Sequence, residues 1–180
     1  MRLFIAINFD KSTSIAITEI RESVRLISSQ GNFTQTANLH LTLAFLGEHD
    51  QKEILAIHRA MQKIEKHTVE LHLEHLGSFA PKDNISKLIW VGIEPNSELN
   101  KLVYELRQSL TIESILFDES EFVPHLTIGR EVILQDKVQS IDTLIRFEPI
   151  KFIPNYICLM ESIRINNKLI YRELCRQYLL

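Results

Sequence analysis

Apolar and polar positions follow two rhythms along this chain of 180 residues. Runs rich in β-branched and aromatic residues predict strands. Apolar residues recurring every three to four positions predict helices. Arg2–Asn8, RLFIAIN, is the first predicted strand. Ser12–Ser29 carries Ile15, Ile20, Val24 and Ile27 at helical spacing. Asn32–Gln35 is a short predicted strand, and His40–Gly47, HLTLAFLG, a longer one closed by glycine. Lys52–Lys66 repeats Ile54, Ile57, Met61 and Ile64 as a helix does, and Val69–Phe79 is a strand region ended by Pro81. Then the order recurs. Lys87–Ile93 reads as a strand, Ser97–Leu110 as a helix, Phe122–Ile128 as a strand and Leu134–Leu144 as a helix. Ile157–Ile165 and Leu169–Leu174 predict a hairpin across Asn166, Asn167 and Lys168, residues that tolerate turn conformations.

The recurrence extends to words. Phe4-Ile5-Ala6-Ile7 and Trp90-Val91-Gly92-Ile93 are each aromatic, β-branched, small, isoleucine, and each precedes a helix. Phe4 and Trp90 lie 86 positions apart, His40 and His125 85. Two landmarks sharing nearly one offset point to an internal duplication. The expected architecture is one domain, 1–180, of two lobes built from repeat units of roughly 1–85 and 86–180. Each lobe then offers one HLT strand to a cleft between them.

Strand side chains alternate faces. Leu41 and Leu43 therefore share one face and His40 and Thr42 the other; Leu126 and Ile128 oppose His125 and Thr127 in the same way. The leucine face belongs to a core. A core strand has no packing reason to carry a histidine and, two positions on, a threonine, and to do so twice. An imidazole beside a hydroxyl suits an anionic phosphoryl group: the hydroxyl donates to a non-bridging oxygen, and the imidazole moves a proton. Two facing pairs supply what phosphodiester cleavage needs, since histidine is the side chain present in both protonation states near neutrality. His40 and His125 are the candidate acid–base pair, with Thr42 and Thr127 as phosphate ligands. No cluster of carboxylates or thiols with metal-ligand spacing adjoins either HLT word, so no metal or other cofactor is expected.

Composition narrows the rest. Apolar residues make up 45% and charged residues 24%, an ordinary globular balance. The net charge of −3 and a pI near 6.2 argue against coating long nucleic acid by bulk charge, though not against gripping one RNA end. Cys158 and Cys175 form no CxxC pair, which points to a reducing compartment, the cytoplasm. The apolar run Leu3–Ile7 is too short for a signal core or a membrane span. No GxGxxG or GxxxxGK[ST] motif occurs. Among the other histidines, His49, His58 and His67 are expected to be solvated beside the second helix. His72 and His75 are expected on opposite strand faces, a poor metal pair.

H-L-T-L-x-F-L-G near residue 40 and P-H-L-T-I-x-R near residue 125, after an N-terminal RLF-A-I strand, resemble the two-histidine phosphoesterase superfamily, and within it the RNA 2′,3′-cyclic phosphodiesterases once called 2′-5′ RNA ligases. Glu161-Ser162 and Tyr171 are similar to the late S…Y pattern of that family. The resemblance implies an α+β, bilobal, pseudo-symmetric fold with two antiparallel sheets flanking a central cleft and helices outside. It implies metal-independent opening of a 2′,3′-cyclic phosphate on RNA or a nucleotide to a 2′-phosphomonoester, with reversible 2′-5′ ligation at the same site. RNA ends or nucleotides bearing the cyclic phosphate are then the partners; no membrane or obligate protein partner is called for. His40 and His125 match the catalytic pair and Thr42 and Thr127 the phosphate ligands. Arg130 matches the arginine after the second motif, although strand parity sets it opposite His125 unless Gly129 bends the chain or the strand ends there. Phe4 is a candidate base-stacking residue, with Phe33 and Tyr171 weaker ones. Gly31-Asn32-Phe33 departs from the basic residue and Trp common before the first motif. Arg164, Lys168, Arg172 and Arg176 form a mildly basic stretch, a charged outer face or a guide for an RNA end. Competing readings are a non-catalytic nucleotide or RNA-end binding module, a phosphodiesterase for a different small cyclic or 2′-5′ substrate, and a metal held by His40 and His125.

Overall fold

The computed structural model describes residues 1–66, 68–79, 86–135 and 141–180. Its strands are β1 (Arg2–Asn8), β2 (Ser28–Phe33), β3 (His40–Glu48), β4 (Leu71–Phe79), β5 (Lys87–Ile93), β6 (His125–Leu134), β7 (Ile150–Phe152), β8 (Tyr156–Ile165) and β9 (Lys168–Tyr178). The helices are α1 (Lys11–Leu26), α2 (Ile54–Gln62) and α3 (Ser97–Ile112). Local chemistry explains where α1 and α3 start. Asp10 accepts a hydrogen bond from the Thr13 N–H at 2.7 Å, and Asn96 from that of Leu99 at 2.8 Å, so each satisfies a backbone donor its helix leaves open.

The architecture is α+β, with two antiparallel sheets of order β3-β1-β8-β9 and β2-β6-β5-β4-β7. With β2 set aside at its edge, the second sheet repeats the first, β6-β5-β4-β7 against β3-β1-β8-β9. The halves 1–85 and 86–180 do not each own a sheet, however. β4 leaves the first half to pair with β5, and β8 returns to pair with β1, carrying β9 at its other edge. The exchange ties the lobes into one body with one main core running from Leu3 to Leu179.

Each HLT strand splits its faces as period-2 alternation requires. Leu41, Leu43, Leu126 and Ile128 are all essentially inaccessible to solvent, whereas His40, Thr42, His125 and Thr127 are half-buried. The two strands lie in different sheets and contact each other, so their histidine faces share a cleft.

Several local expectations differ from the structure. β6 continues to Leu134, and within the expected helix Leu134–Leu144 the described residues include only a single 3-10 turn, Ile141–Thr143. The apolar spacing there serves the strand end and one buried isoleucine, Ile141. Residues 136–140 of that expected helix, with His67 and Pro81, lie outside the described residues. β2 begins at Ser28, earlier than expected, because it pairs along the extended β6. His49 is 6% exposed rather than solvated. Its Nε2 lies 3.0 Å from the carbonyls of both Leu46 and Leu116, and so clasps the end of β3 to the loop leading into β6. The β8–β9 hairpin forms where the sequence places it. It turns on Asn166 and Asn167, at φ 49° and 62°, left-handed values that asparagine tolerates.

Candidate active site

His40 and Thr42 from β3 meet His125, Thr127 and Arg130 from β6 around a cleft of about 710 Å³, whose wall also includes Tyr171 of β9. None of the cleft-lining side chains comes from α1 or α2. The duplication is visible in the chemistry. His40 Nδ1 lies 2.7 Å from the carbonyl oxygen of Asn38, and His125 Nδ1 lies 2.7 Å from that of Val123, two residues upstream in each case. A carbonyl only accepts, so each Nδ1 carries a hydrogen and each neutral imidazole keeps its lone pair on Nε2. Both rings thus take the same tautomer, with Nε2 the nitrogen that carries the lone pair. His40 Nε2 lies 3.1 Å from the Thr42 hydroxyl, which joins the two side chains that alternation placed on one face.

Each imidazole also rests on aromatic rings. His40 sits 4.9 Å from the Phe4 ring centroid and 5.0 Å from that of Tyr171, the latter edge-on. His125 lies 5.4 Å from Phe79, also edge-on, and 6.3 Å from Trp90. Phe4 and Trp90 are the paired landmarks of the repeat, so the duplication preserves an aromatic bed under each histidine. Trp90 reaches its place only because its cross-strand partner is Gly77: a Cβ there would lie 2.2 Å from the indole. Phe4 is 4% exposed, clamped between His40 and Tyr171 at the base of the adjoining compartment. Tyr171 and Phe33 present more of their rings to the cleft.

The parity objection to Arg130 dissolves in the register. Between Trp90 and Ile89 on β5, the facing residues on β6 jump from Thr127 to Gly129, and between Ile89 and Lys87 from Gly129 to Val132. β6 thus carries extra residues on both sides of Gly129, and Glu131 adopts φ 52° there. The strand does not end; it bulges, and the first bulge turns Arg130 to the face of His125 and Thr127. Burial first, and the nearby charges of Arg130 and His125 next, hold the His40 imidazole below the ordinary histidine pKa, against the opposing pull of the Asn38 carbonyl.

The C-terminal basic stretch divides. Arg172 and Arg176 are paired with Glu161 and Glu173. Arg164 and Lys168 line the cleft. Ser162 and Tyr171 face each other across β8 and β9 and both border the compartment over Phe4. The backbone carbonyls that set the tautomers had no signal in the sequence, since Asn38 and Val123 share no side-chain chemistry. Among the described residues, the histidine and carboxylate donors close enough to share a cation are His72, Glu74 and Glu94, whose ligand atoms lie within 4.8 Å of one another. They do not line the cleft. Contrary to the expectation of opposite faces, a β4 bulge between Leu73 and Leu76 keeps both leucines in the core and sets His72, beside Glu70 and Glu94, and His75, beside Trp90 and Gly92, on one face.

Comparison with known proteins bears on the family and the fold. A family profile described as the 2′-5′ RNA ligase superfamily matches residues 9–165. The RNA 2′,3′-cyclic phosphodiesterase of Thermotoga maritima is 33% identical over 153 residues, covering 84% of this chain and 81% of the relative. The protein of the same name from Methanocaldococcus jannaschii is 31% identical over 157 residues, covering 84% of each. Among solved structures, E. coli LigT complexed with 3′-AMP superposes with a TM-score of 0.77 at 25% identity, over 99% of this chain and 97% of that one. A protein of Thermus thermophilus shares the fold at a TM-score of 0.81 and 21% identity, over 99% and 98% of the two chains.

Proposed function

The chain belongs to the 2′-5′ RNA ligase superfamily, and from that premise we propose that it opens the 2′,3′-cyclic phosphate at an RNA or nucleotide end to a 2′-phosphomonoester. The observation that carries this reading is the matched pair of imidazoles, each with Nδ1 committed to a carbonyl and Nε2 left for proton transfer. Water attacks phosphorus as one histidine takes its proton. The P–O3′ bond breaks, and the other histidine gives a proton to O3′. Thr42, Thr127 and Arg130 hold the non-bridging oxygens, whose charge grows in the transition state. These groups complete the reaction without a metal. With a 5′-hydroxyl in place of water, the same displacement forms a 2′-5′ linkage, and microscopic reversibility lets the site break that linkage again. The free thiols of Cys158 and Cys175 suit the reducing cytoplasm, and among the described residues no helix is long and apolar enough to cross a membrane.

The deciding experiment incubates the wild-type protein with an RNA oligonucleotide ending in a 2′,3′-cyclic phosphate, in EDTA, and locates the product phosphate. The expected result is chelator-resistant opening to the 2′-phosphate. Tight binding with no product after long incubation would favour a binding module instead.

The depressed pKa of His40 gives a second prediction. Arg130→Gln removes a positive charge that holds the imidazole down, so the pKa of His40 rises. In the pH profile of kcat/KM one limb therefore moves upward. If His40 is the base, the acid limb moves; if it is the acid, the alkaline limb moves. Loss of a charged hydrogen bond to phosphate lowers kcat/KM at the optimum roughly 10- to 100-fold. A profile that falls in height without either limb moving would remove Arg130 from the electrostatics of His40.

A further inference from the structure

The two ends of the cleft differ in charge. On one side Arg2, Arg164 and Lys168 are exposed, and none has a carboxylate partner among the described residues; of the acids bordering the same compartments, Glu161 is held by Arg172, Glu48 by the N-terminal ammonium, and Glu131 accepts from the Asn32 amide. Elsewhere on the surface Arg172, Arg176, Arg59 and Lys63 all meet carboxylates. Arg164 borders both compartments on this side, so the three cations form one track leading away from His40. On the other side a groove of about 410 Å³ begins at Thr42 and His125. Its free aromatic ring is Phe79, 42% exposed; Phe45 borders both sides, and the Arg2 guanidinium covers its ring 5.1 Å from the centroid. Asp118 and Glu121 add negative charge there, and the guanidinium of Arg107 is tied to the Ser120 carbonyl at 3.0 Å. A polyanion is attracted to the first side and repelled from the second; a neutral base finds a ring face on the second.

We infer that the cleft takes its substrate in one direction, with the terminal nucleobase stacked on Phe79 and the phosphates of the RNA body running along Arg164, Lys168 and Arg2. The inference rests on the activity proposed above and narrows its substrate class to chains rather than mononucleotides. The phosphates upstream of the terminal nucleotide then supply binding that a mononucleotide lacks. Phe79 is held ready for this role, its ring 5.3 Å from that of Trp90 and edge-on to His125.

The test compares adenosine 2′,3′-cyclic phosphate with a four-nucleotide RNA ending in the same cyclic adenylate. Wild type, the double variant Arg164→Gln/Lys168→Gln and Phe79→Ala are assayed for kcat/KM across a salt series, with thermal unfolding of each. Wild type is expected to prefer the tetranucleotide. Its rate on that substrate should fall with salt more steeply than on the mononucleotide, by a log–log slope of about 0.7 per phosphate engaged. The double variant should lower the tetranucleotide rate roughly tenfold and abolish the preference, while Phe79→Ala lowers both substrates by roughly tenfold. Equal rates and equal salt slopes for the two substrates in wild type would overturn the inference and leave the activity standing. A preference lost in Phe79→Ala but kept in the double variant would overturn it too, since the chain would then run the other way. No opening of either substrate by wild type would sink the activity and this inference together. The salt series needs no variant, so misfolding of a mutant cannot rescue the idea.

Discussion

Replacing His125 by alanine is expected to lower kcat/KM for cyclic-phosphate opening by roughly 10²- to 10⁴-fold, the span that one positioned general acid or base contributes. His40→Ala should fall in the same range. The two proton transfers belong to one displacement, so the double variant should be little worse than the poorer single variant rather than the product of both losses. Stopped assays on the cyclic-phosphate oligonucleotide, with thermal unfolding as the control for folding, check this. His125 is the cleaner site. Its ring is half-buried and anchored by one hydrogen bond to Val123, so its loss leaves no core cavity. His40 is packed between Phe4 and Tyr171, and its removal also loosens that aromatic bed. Either single variant keeping wild-type turnover would end the two-histidine mechanism.

One position further along, the expected result reverses. Leu126→Ala should destabilise the fold by about 2–5 kcal/mol, the cost of removing a fully buried leucine and leaving its cavity. Leu126 is wholly inaccessible and lies on the face of β6 opposite His125 and Thr127. Its strand partner is Val91 of β5, also at 0% exposure, so the lost volume lies inside the main core. Chemical denaturation should show the midpoint falling with little change in slope. Below the transition the folded fraction should keep most of its kcat/KM, because the imidazole on the other face keeps its carbonyl anchor. The contrast between neighbours 125 and 126, activity lost in one and stability in the other, tests the division of faces directly. A Leu126→Ala protein as stable as wild type would mean that this strand face is not core.

That division was legible in the sequence because alternation is a property of the backbone. Any extended HLTL or HLTI segment puts its histidine with its threonine and its leucines together, whatever it pairs with. The shared offset of Phe4 with Trp90 and His40 with His125 pointed to a duplication; that each aromatic ring lies beside its histidine came from the fold. The proposed chemistry rests on the same alternation, since an imidazole and a hydroxyl repeated on one face suit proton transfer and phosphate rather than packing. The turn at Asn166-Asn167 was legible because the cost of a left-handed backbone is a local matter of side-chain type.

What only the tertiary structure decided depends on partners distant in the chain. Arg130 looks misplaced by parity until β5 and β2 set the register that forces β6 to bulge around Gly129. A bulge is a mismatch between two strands, and one strand alone cannot contain it. Leu134–Leu144 carries apolar spacing that suits a helix, yet β2 captures its first residue as strand. The exchange of β4 for β8 between the halves follows from which edges are open when the sheets assemble, not from either repeat by itself. His49 reads as a polar residue beside a helix and becomes buried because two carbonyls, one of them from residue 116, converge on its ring. Charge pairing follows the same logic: Arg172 finds Glu161 across the hairpin while Arg164 is left facing the cleft. Composition counts both arginines alike. Folding neutralises one and leaves the other facing the cleft, because an ion pair needs its partner within about 4 Å and only the folded chain sets that distance.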